Sequence, residues 1–472
     1  MQLAQNTRAP FADLERNFAR QRELSRAEPP APLSVRRDRL KRLLAALEQN
    51  ADALVSAMSA DFGHRATHES ETYDINGAVG SIRHDLNHTA HWMRKRSYPV
   101  RGYMWPGRAA VLPTPLGVVG VMSPWNFPVF LALSPLSAAL AAGNRTLLKP
   151  SEHTPRTSEL MAEMIERKFG PEEIAVCLGG ADVAERFASL PFDHLLFTGS
   201  TAVGRKVAAA AAQNLTPVTL ELGGKSPLLV APSADPDDAA ARCMFGKLAN
   251  AGQICVSPDY ALVPRVHLDA FVERAKAHAQ RLYPSYVDNP DYSAVAGAQR
   301  LARLEALIAE TELKGARVAR LGASGAGKLA PTLVIEPASD TRLMQEEIFG
   351  PVLPVVPYES LSDAISFINA RPRPLALYLF VRDSDERDSV LTRTVSGGVT
   401  VNDVIYHVGC NTLPFGGVGA SGMGAYHGEA GFRTFSHMKP VFYQTRLNGR
   451  ALFETPRTPL RQAFGRFFRR IV

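Results

Sequence analysis

The chain is poor in cysteine, with Cys177, Cys243, Cys255 and Cys410 scattered through 472 residues. No pair has the close spacing of a zinc knuckle or a redox dithiol. That excludes a disulfide-stapled scaffold and predicts reduced thiols and a cytoplasmic location. Long apolar runs are also missing. Residues 1–10 carry no apolar core of a secretory signal. The stretch 129–142 falls short of the roughly 20 residues that span a bilayer, and Pro135 interrupts it. The twelve histidines form neither H-E-x-x-H nor H-x-x-E-H, so no metal is expected. Net charge is +7, yet no basic stripe with interleaved aromatics runs along the chain. Nucleic acid is therefore not expected as a partner.

The remainder reads as an ordinary globular protein of two to three domains, at roughly 150 residues each. Leu40, Leu43, Leu44, Leu47, Leu54 and Met58 recur near helical spacing, so the first hundred residues read as helices. Residues 97–115 carry Pro99, Gly102, Pro106, Gly107, Pro113 and Pro115 and read as extended and turn-rich. Strands are then expected at 117–122, 146–149, 174–178, 194–197 and 218–222. Helices are expected between them at 128–142, 157–168, 182–189 and 202–212. This alternation predicts an α/β fold, a parallel sheet with helices on both faces. Ligands on such sheets bind beyond the carboxyl ends of the strands. A second α/β region follows, with strands expected at 228–230, 260–264, 316–319, 332–335, 353–357 and 377–381, and helices at 268–281 and 298–312.

Seven short segments appear in order. They are Pro124–Trp125–Asn126–Phe127–Pro128, Lys149–Pro150–Ser151–Glu152, Phe197–Thr198–Gly199–Ser200 and Glu221–Leu222–Gly223–Gly224–Lys225. Gly252–Gln253–Ile254–Cys255, Glu346–Glu347–Ile348–Phe349–Gly350–Pro351 and Pro414–Phe415–Gly416–Gly417 follow. This series resembles the aldehyde dehydrogenase superfamily over residues 36–443. Asn402–Asp403–Val404–Ile405 and Ser421–Gly422–Met423–Gly424–Ala425–Tyr426–His427–Gly428 are similar to its class-3-like members, which include bacterial coniferyl aldehyde dehydrogenases. The resemblance implies a Rossmann-like parallel-sheet cofactor domain, an α/β catalytic domain and a small oligomerisation ribbon. On this sequence the cofactor domain would take 1–96 and 117–222, and the catalytic domain 223–425. The ribbon would take 97–116 and 426–445, leaving 446–472 as a basic amphipathic tail.

The chemistry can be argued from the residues themselves. Hydride does not leave readily from a flat aldehyde carbon, so a nucleophile must first make it tetrahedral. A thiolate suits, being strongly nucleophilic and a good leaving group from a thioester. Cys255 fits, whereas Cys177, Cys243 and Cys410 read as inert thiols. Cys410, between two motifs, could also line a substrate tunnel. The oxyanion needs placed donors, which Asn126 and the backbone N–H of Cys255 could supply; Asn126 also suits a plain turn between prolines. Hydrolysis of the thioester needs a base, and Glu221 is the candidate. A salt-bridged surface role is the ordinary alternative for a glutamate.

No G-x-G-x-x-G follows the first strand, which by itself counts against a dinucleotide; the resembled family lacks that fingerprint. Gly199, Ser200 and Gly204 open a helix whose N–H groups can face a phosphate. The resemblance places Lys149 and Glu152 on the adenosine ribose, where the carboxylate favours NAD over NADP. A helix-capping turn around Pro150 is the ordinary alternative for both, with Ser151 and Glu152 suiting a helix start. Leu222 and Gly223 would lie near the nicotinamide, and Glu347 and Phe349 would hold its ribose and ring. Trp125, Phe127, Tyr73, Ile405, Tyr406 and Phe415 are candidate tunnel walls for an aromatic or long-chain aldehyde, and a core role serves Tyr73 and Tyr406 as well. The ribbon implies a homodimer. In the tail, Leu460, Phe464, Phe467, Phe468 and Ile471 share a helical face, with Arg461, Arg466, Arg469 and Arg470 largely elsewhere. That pattern suits either an anionic membrane surface or docking on a partner subunit. Three alternatives remain open: transfer of the thioester to coenzyme A, a non-catalytic binding protein on this fold, and a thiol hydrolase.

Overall fold

The computed structural model describes residues 10–100 and 104–468. Five helices fill Pro10–Trp92, broken by a π-helical segment at Ser70–Asn76. Strands β1 (Arg96–Tyr98) and β2 (Arg108–Pro115) follow, then β3 (Val118–Met122), β4 (Arg145–Lys149), β5 (Ile174–Val176), β6 (His194–Gly199) and β7 (Val218–Leu222). Next come β8 (Pro227–Val230), β9 (Tyr260–Pro264), β10 (Arg317–Arg320), β11 (Thr332–Ile335), β12 (Val352–Tyr358) and β13 (Ala376–Phe380). The last are β14 (Gly398–Val401), β15 (Gly422–Met423) and β16 (Ser436–Tyr443).

The first sheet runs β15-β7-β6-β3-β4-β5, with β15 alone antiparallel. Every residue of β3 and β4 is buried, which is why these strands read as continuous apolar runs rather than alternating ones. Helix Phe130–Ala142 covers one face with almost all its residues buried, and Gly143 ends it at φ 93. Connections leave β3 toward β4 on one side and β6 on the other, so the topological switch lies between β3 and β6. The register aligns Met122 with both Lys149 and Phe197, and Thr198 with Glu221. Four of the expected motifs therefore leave the sheet along one carboxyl rim.

The second sheet runs β10-β11-β12-β9-β8-β13-β14, parallel except for β10. Strand β14 and helix Pro236–Leu248 were not among the sequence expectations. Their signals were short or masked by flanking glycine, proline and acidic residues. Strand β15, inside the 223–425 range, pairs with β7 of the first sheet instead. The third sheet, β1-β2-β16, joins Arg108–Pro115 to Ser436–Tyr443 over eight residue pairs. Of the 426–445 segment expected in this ribbon, Gly428–Thr434 is instead a helix with Phe432 buried, and Ser436–Tyr443 is the part that pairs. Gly102 falls outside the described residues, as do Arg469, Arg470 and Ile471 of the tail. Within the tail, Pro459–Phe468 is helical, with Leu460 and Phe467 exposed. Among the described residues no helix is long and apolar enough to cross a membrane.

Candidate active site

Asn126 lies in the loop after β3, buried, and its amide donates to the carbonyl oxygen of Gln253 at 3.1 Å. Asn250 returns the link, donating to the Asn126 carbonyl at 3.2 Å. The turn they hold is unusual. Asn250, Ala251 and Gly252 take φ values of 48, 49 and 74, a left-handed run that alanine adopts only at a cost. Fully buried Gln253 supports it. Its Nε2 donates to the carbonyls of Asn250 at 2.9 Å and Ala294 at 3.0 Å, and its Oε1 accepts from the Ala296 N–H at 2.9 Å. The buried Glu69 carboxyl accepts from the Asn250 N–H at 2.7 Å and from the Ser293 hydroxyl.

That turn delivers Cys255. Burial, with the nearby Glu347 and Glu221 carboxyls, pushes its thiol up to about 12, against the smaller pull of the backbone N–H groups of Cys255 and Val256. A thiol held so stays protonated at neutral pH, and a nucleophilic role there would require a base. Glu221, at the rim of β7, is buried, and neither carboxyl oxygen has a protein hydrogen-bond partner. Burial holds it well above the usual carboxylate range, the direction of shift that suits a general base. Cys177 and Cys243 are buried, and burial pushes each up to about 12. The Cys410 sulfur lies 3.2 Å from the Thr412 hydroxyl and is held below its ordinary value, mainly by that bond.

A second group lines the rim beside this one. Buried Lys149 reaches the Pro150 carbonyl at 3.1 Å and the Glu152 carboxylate at 3.2 Å. Burial works against the Glu152 charge, but a backbone hydrogen bond and Lys149 carry its pKa below the ordinary value. The Ser200 hydroxyl caps helix Thr201–Ala212, accepting from Val203 N–H at 3.4 Å. Gly204 lets that helix lie close to β7, since a Cβ there would fall 2.5 Å from Leu222. The Leu222 N–H is held by the Ser421 carbonyl at 3.0 Å. At Gly223 a Cβ would lie 2.0 Å from a Glu347 carboxyl oxygen. Burial first, then Asp259, pushes Glu347 up to about 8. Phe349 sits at φ 54 and meets Trp125 edge-on with ring centroids 5.4 Å apart. A helix N-terminus, an ionised carboxylate beside a lysine and a cradle that any Cβ would close together fit a dinucleotide. Among the described residues no cluster of histidine, cysteine and acidic side chains could hold a metal.

The candidate tunnel residues divide. Tyr73 meets Phe127 edge-on at 6.2 Å, while Phe415 is buried and stacked on His427 at 5.2 Å. Ile405 is half-buried at φ 70, and Tyr406 is 67% exposed, open to solvent rather than enclosed. Trp125 packs instead with Phe349, Phe62 and the Arg300 guanidinium, which lies 4.1 Å above its ring. Supporting residues carried no motif. Arg65 and Asp74 form a fully buried ion pair at 2.7 Å, and Asp74 also accepts from the Val129 and Phe130 N–H groups at 3.0 Å each. Tyr426 is buried beside the centre with an unpartnered hydroxyl. Its motif was visible, but nothing in the sequence showed where the hydroxyl goes.

A family profile described as the aldehyde dehydrogenase family matches residues 2–441. Among curated relatives, a coniferyl aldehyde dehydrogenase of Pseudomonas sp. is 50% identical over 424 residues, covering 88% of each chain. Aldehyde dehydrogenase family 3 member A2 of Mus musculus is 38% identical, covering 90% of this chain and 88% of its own. The substrate-bound state of Staphylococcus aureus AldH superposes with TM-score 0.92 at 35% identity, over 96% of this chain and 99% of that one. An aldehyde dehydrogenase of Mycobacterium tuberculosis complexed with NAD+ superposes with TM-score 0.83 at 27% identity, over 92% and 90%.

Proposed function

This chain belongs to the aldehyde dehydrogenase family and is an aldehyde-oxidising oxidoreductase, and from that premise we propose that it oxidises an aromatic aldehyde of the coniferyl aldehyde type to the carboxylate through a thioester on Cys255. What supports the mechanism is the Asn126 amide anchored on the carbonyl of Gln253, two residues before Cys255, together with a buried, unpartnered Glu221 whose carboxyl acts electrostatically on the Cys255 thiol. When bound, NAD supplies a nicotinamide ring able to accept hydride. Glu221 takes the Cys255 thiol proton and passes it to solvent as the sulfur adds to the aldehyde carbon. Asn126 and the Cys255 N–H hold the oxyanion. Loss of hydride leaves the thioester, and Glu221 takes a proton from the water that hydrolyses it. A base in that position favours hydrolysis over transfer to coenzyme A.

For the cofactor, Lys149, Glu152, Gly199, Ser200, Gly204, Leu222, Gly223, Glu347 and Phe349 are the proposed holders. The ionised Glu152 favours NAD over NADP by repelling a 2′-phosphate. The first sheet serves as the cofactor domain and the second as the catalytic domain. The β2–β16 ribbon serves as a dimer contact. Two aromatic pairs, Tyr73–Phe127 and Phe415–His427, suit a planar substrate. The support for coniferyl aldehyde in particular is the name borne by the 50%-identical relative.

The test is NADH formation over a panel of aromatic and aliphatic aldehydes with both nucleotides, alongside Cys255→Ala and Glu221→Gln. Activity should favour aromatic aldehydes and NAD, and Cys255→Ala should be inactive. A Cys255→Ala protein as active as the parent would end this mechanism.

A further inference from the structure

Strand β15 lies antiparallel to β7 and sets Gly422 opposite Glu221. From there the chain passes Gly424, packed on Thr219. It reaches Tyr426, whose backbone N–H and carbonyl both pair with Phe415. The Tyr426 ring is fixed edge-on against His427 at 4.4 Å and against Phe415 at 6.1 Å. Its hydroxyl is thereby carried inward and held there, with no protein partner. Both Glu221 oxygens are also without partners. The β15–β7 pairing brings this segment beside Glu221, and Glu221 and Cys255 each act electrostatically on the Tyr426 hydroxyl. A buried hydroxyl and a buried carboxyl left unbonded are destabilising, more so when charged. Such an arrangement is sensible where a third molecule completes the bonding during the reaction.

We propose that Tyr426 is a positioning residue for thioester hydrolysis, holding with Glu221 the water that attacks the carbon bonded to Cys255. This rests on the thioester mechanism above and assigns a role that the motif series leaves blank. The water donates one hydrogen to the Glu221 carboxylate and the other to the Tyr426 oxygen, which leaves a lone pair facing the carbonyl carbon. The new C–O bond forms as Glu221 takes the water proton. The C–S bond then breaks, the departing Cys255 sulfur recovers that proton, and the acid is released. No electrons are exchanged in this half of the cycle.

The experiment is stopped-flow NADH formation by the full chain and by Tyr426→Phe, with intact mass measured during turnover. Phenylalanine removes the hydroxyl and keeps the ring. The expected result is a burst of about one NADH per active site at nearly the parental rate. Steady turnover should then be at least about tenfold slower, the effect of one hydrogen bond worth about 1.4 kcal/mol in the barrier. An acyl adduct should accumulate on Cys255, and hydroxylamine, a nucleophile that needs no held water, should restore turnover. The proposal is overturned if Tyr426→Phe hydrolyses its adduct at the parental rate. It is equally overturned if burst and steady rates fall together, with no adduct and no rescue, since that marks a merely structural ring. A Cys255→Ala control that still turns over would overturn the thioester reading itself, which separates the two failures.

Discussion

Gln253 is the residue whose loss should reveal how Cys255, the proposed nucleophile, is held. Its side chain is fully buried and makes three hydrogen bonds, to Asn250 O, Ala294 O and Ala296 N–H, at 2.9, 3.0 and 2.9 Å. Gln253→Met keeps the length of the side chain and removes all three. The Asn250 carbonyl would keep the backbone N–H of residue 253, which already donates to it at 3.0 Å. The Ala294 carbonyl and Ala296 N–H would lose this partner in a buried setting. At about 1–3 kcal/mol for each buried polar group so stranded, folding stability should fall by about 2–6 kcal/mol. The left-handed run at Asn250, Ala251 and Gly252 would also lose its brace, and a nucleophile displaced by about 1 Å can cost about a hundredfold in rate. Urea denaturation would measure the first effect. The rate of Cys255 alkylation by iodoacetamide, with kcat/KM, would measure the second. Unchanged stability together with unchanged kcat/KM would show that the turn holds itself and that the reasoning is wrong.

Three further outcomes are expected. Arg65→Met would strand the Asp74 carboxyl in a site where both side chains are 0% exposed; the cost should be about 3–5 kcal/mol, read by urea denaturation, and a variant as stable as the parent would contradict it. Gly223→Ala would place a Cβ 2.0 Å from a Glu347 oxygen. A fluorescence titration should show NADH binding weakened about tenfold or more, equivalent to about 1.4 kcal/mol, with little change in melting temperature. Asp85 is held at about 8 in the folded protein, against 3.8 ordinarily, because burial outweighs its Ser137 hydrogen bond. Between those values the native state binds a proton that the unfolded chain has released, so this residue makes stability fall as pH rises across the window. Asp85→Asn should remove that contribution and narrow the gap in urea midpoint between about pH 5 and about pH 8; an unchanged gap would argue against a proton held there.

Much was legible in the one-dimensional pattern because its signals are local. Buried parallel strands announce themselves as apolar runs, as at Val118–Met122, and helix ends as glycine, as at Gly143. The motifs around Asn126, Lys149, Glu221 and Cys255 consist of neighbouring residues whose spacing survives folding, so family, fold class and an aldehyde-oxidising activity could be read without coordinates. Weakly patterned elements, such as Gly398–Val401, were not recoverable, since their pairing partner lies elsewhere in the chain.

The linear order of residues thus determined which side chains are available for chemistry. Folding alone decided which of them meet. Glu69 supports a turn 181 positions away because a hydrogen bond joins them through the core. Trp125 joined Phe349 and Arg300 rather than the Tyr73–Phe127 pair, and Tyr426 arrived near Glu221 through an antiparallel pairing between distant segments. Long-range contacts and burial are properties of the packed chain, and they set the charge state and partners of a group whose identity the sequence can only name.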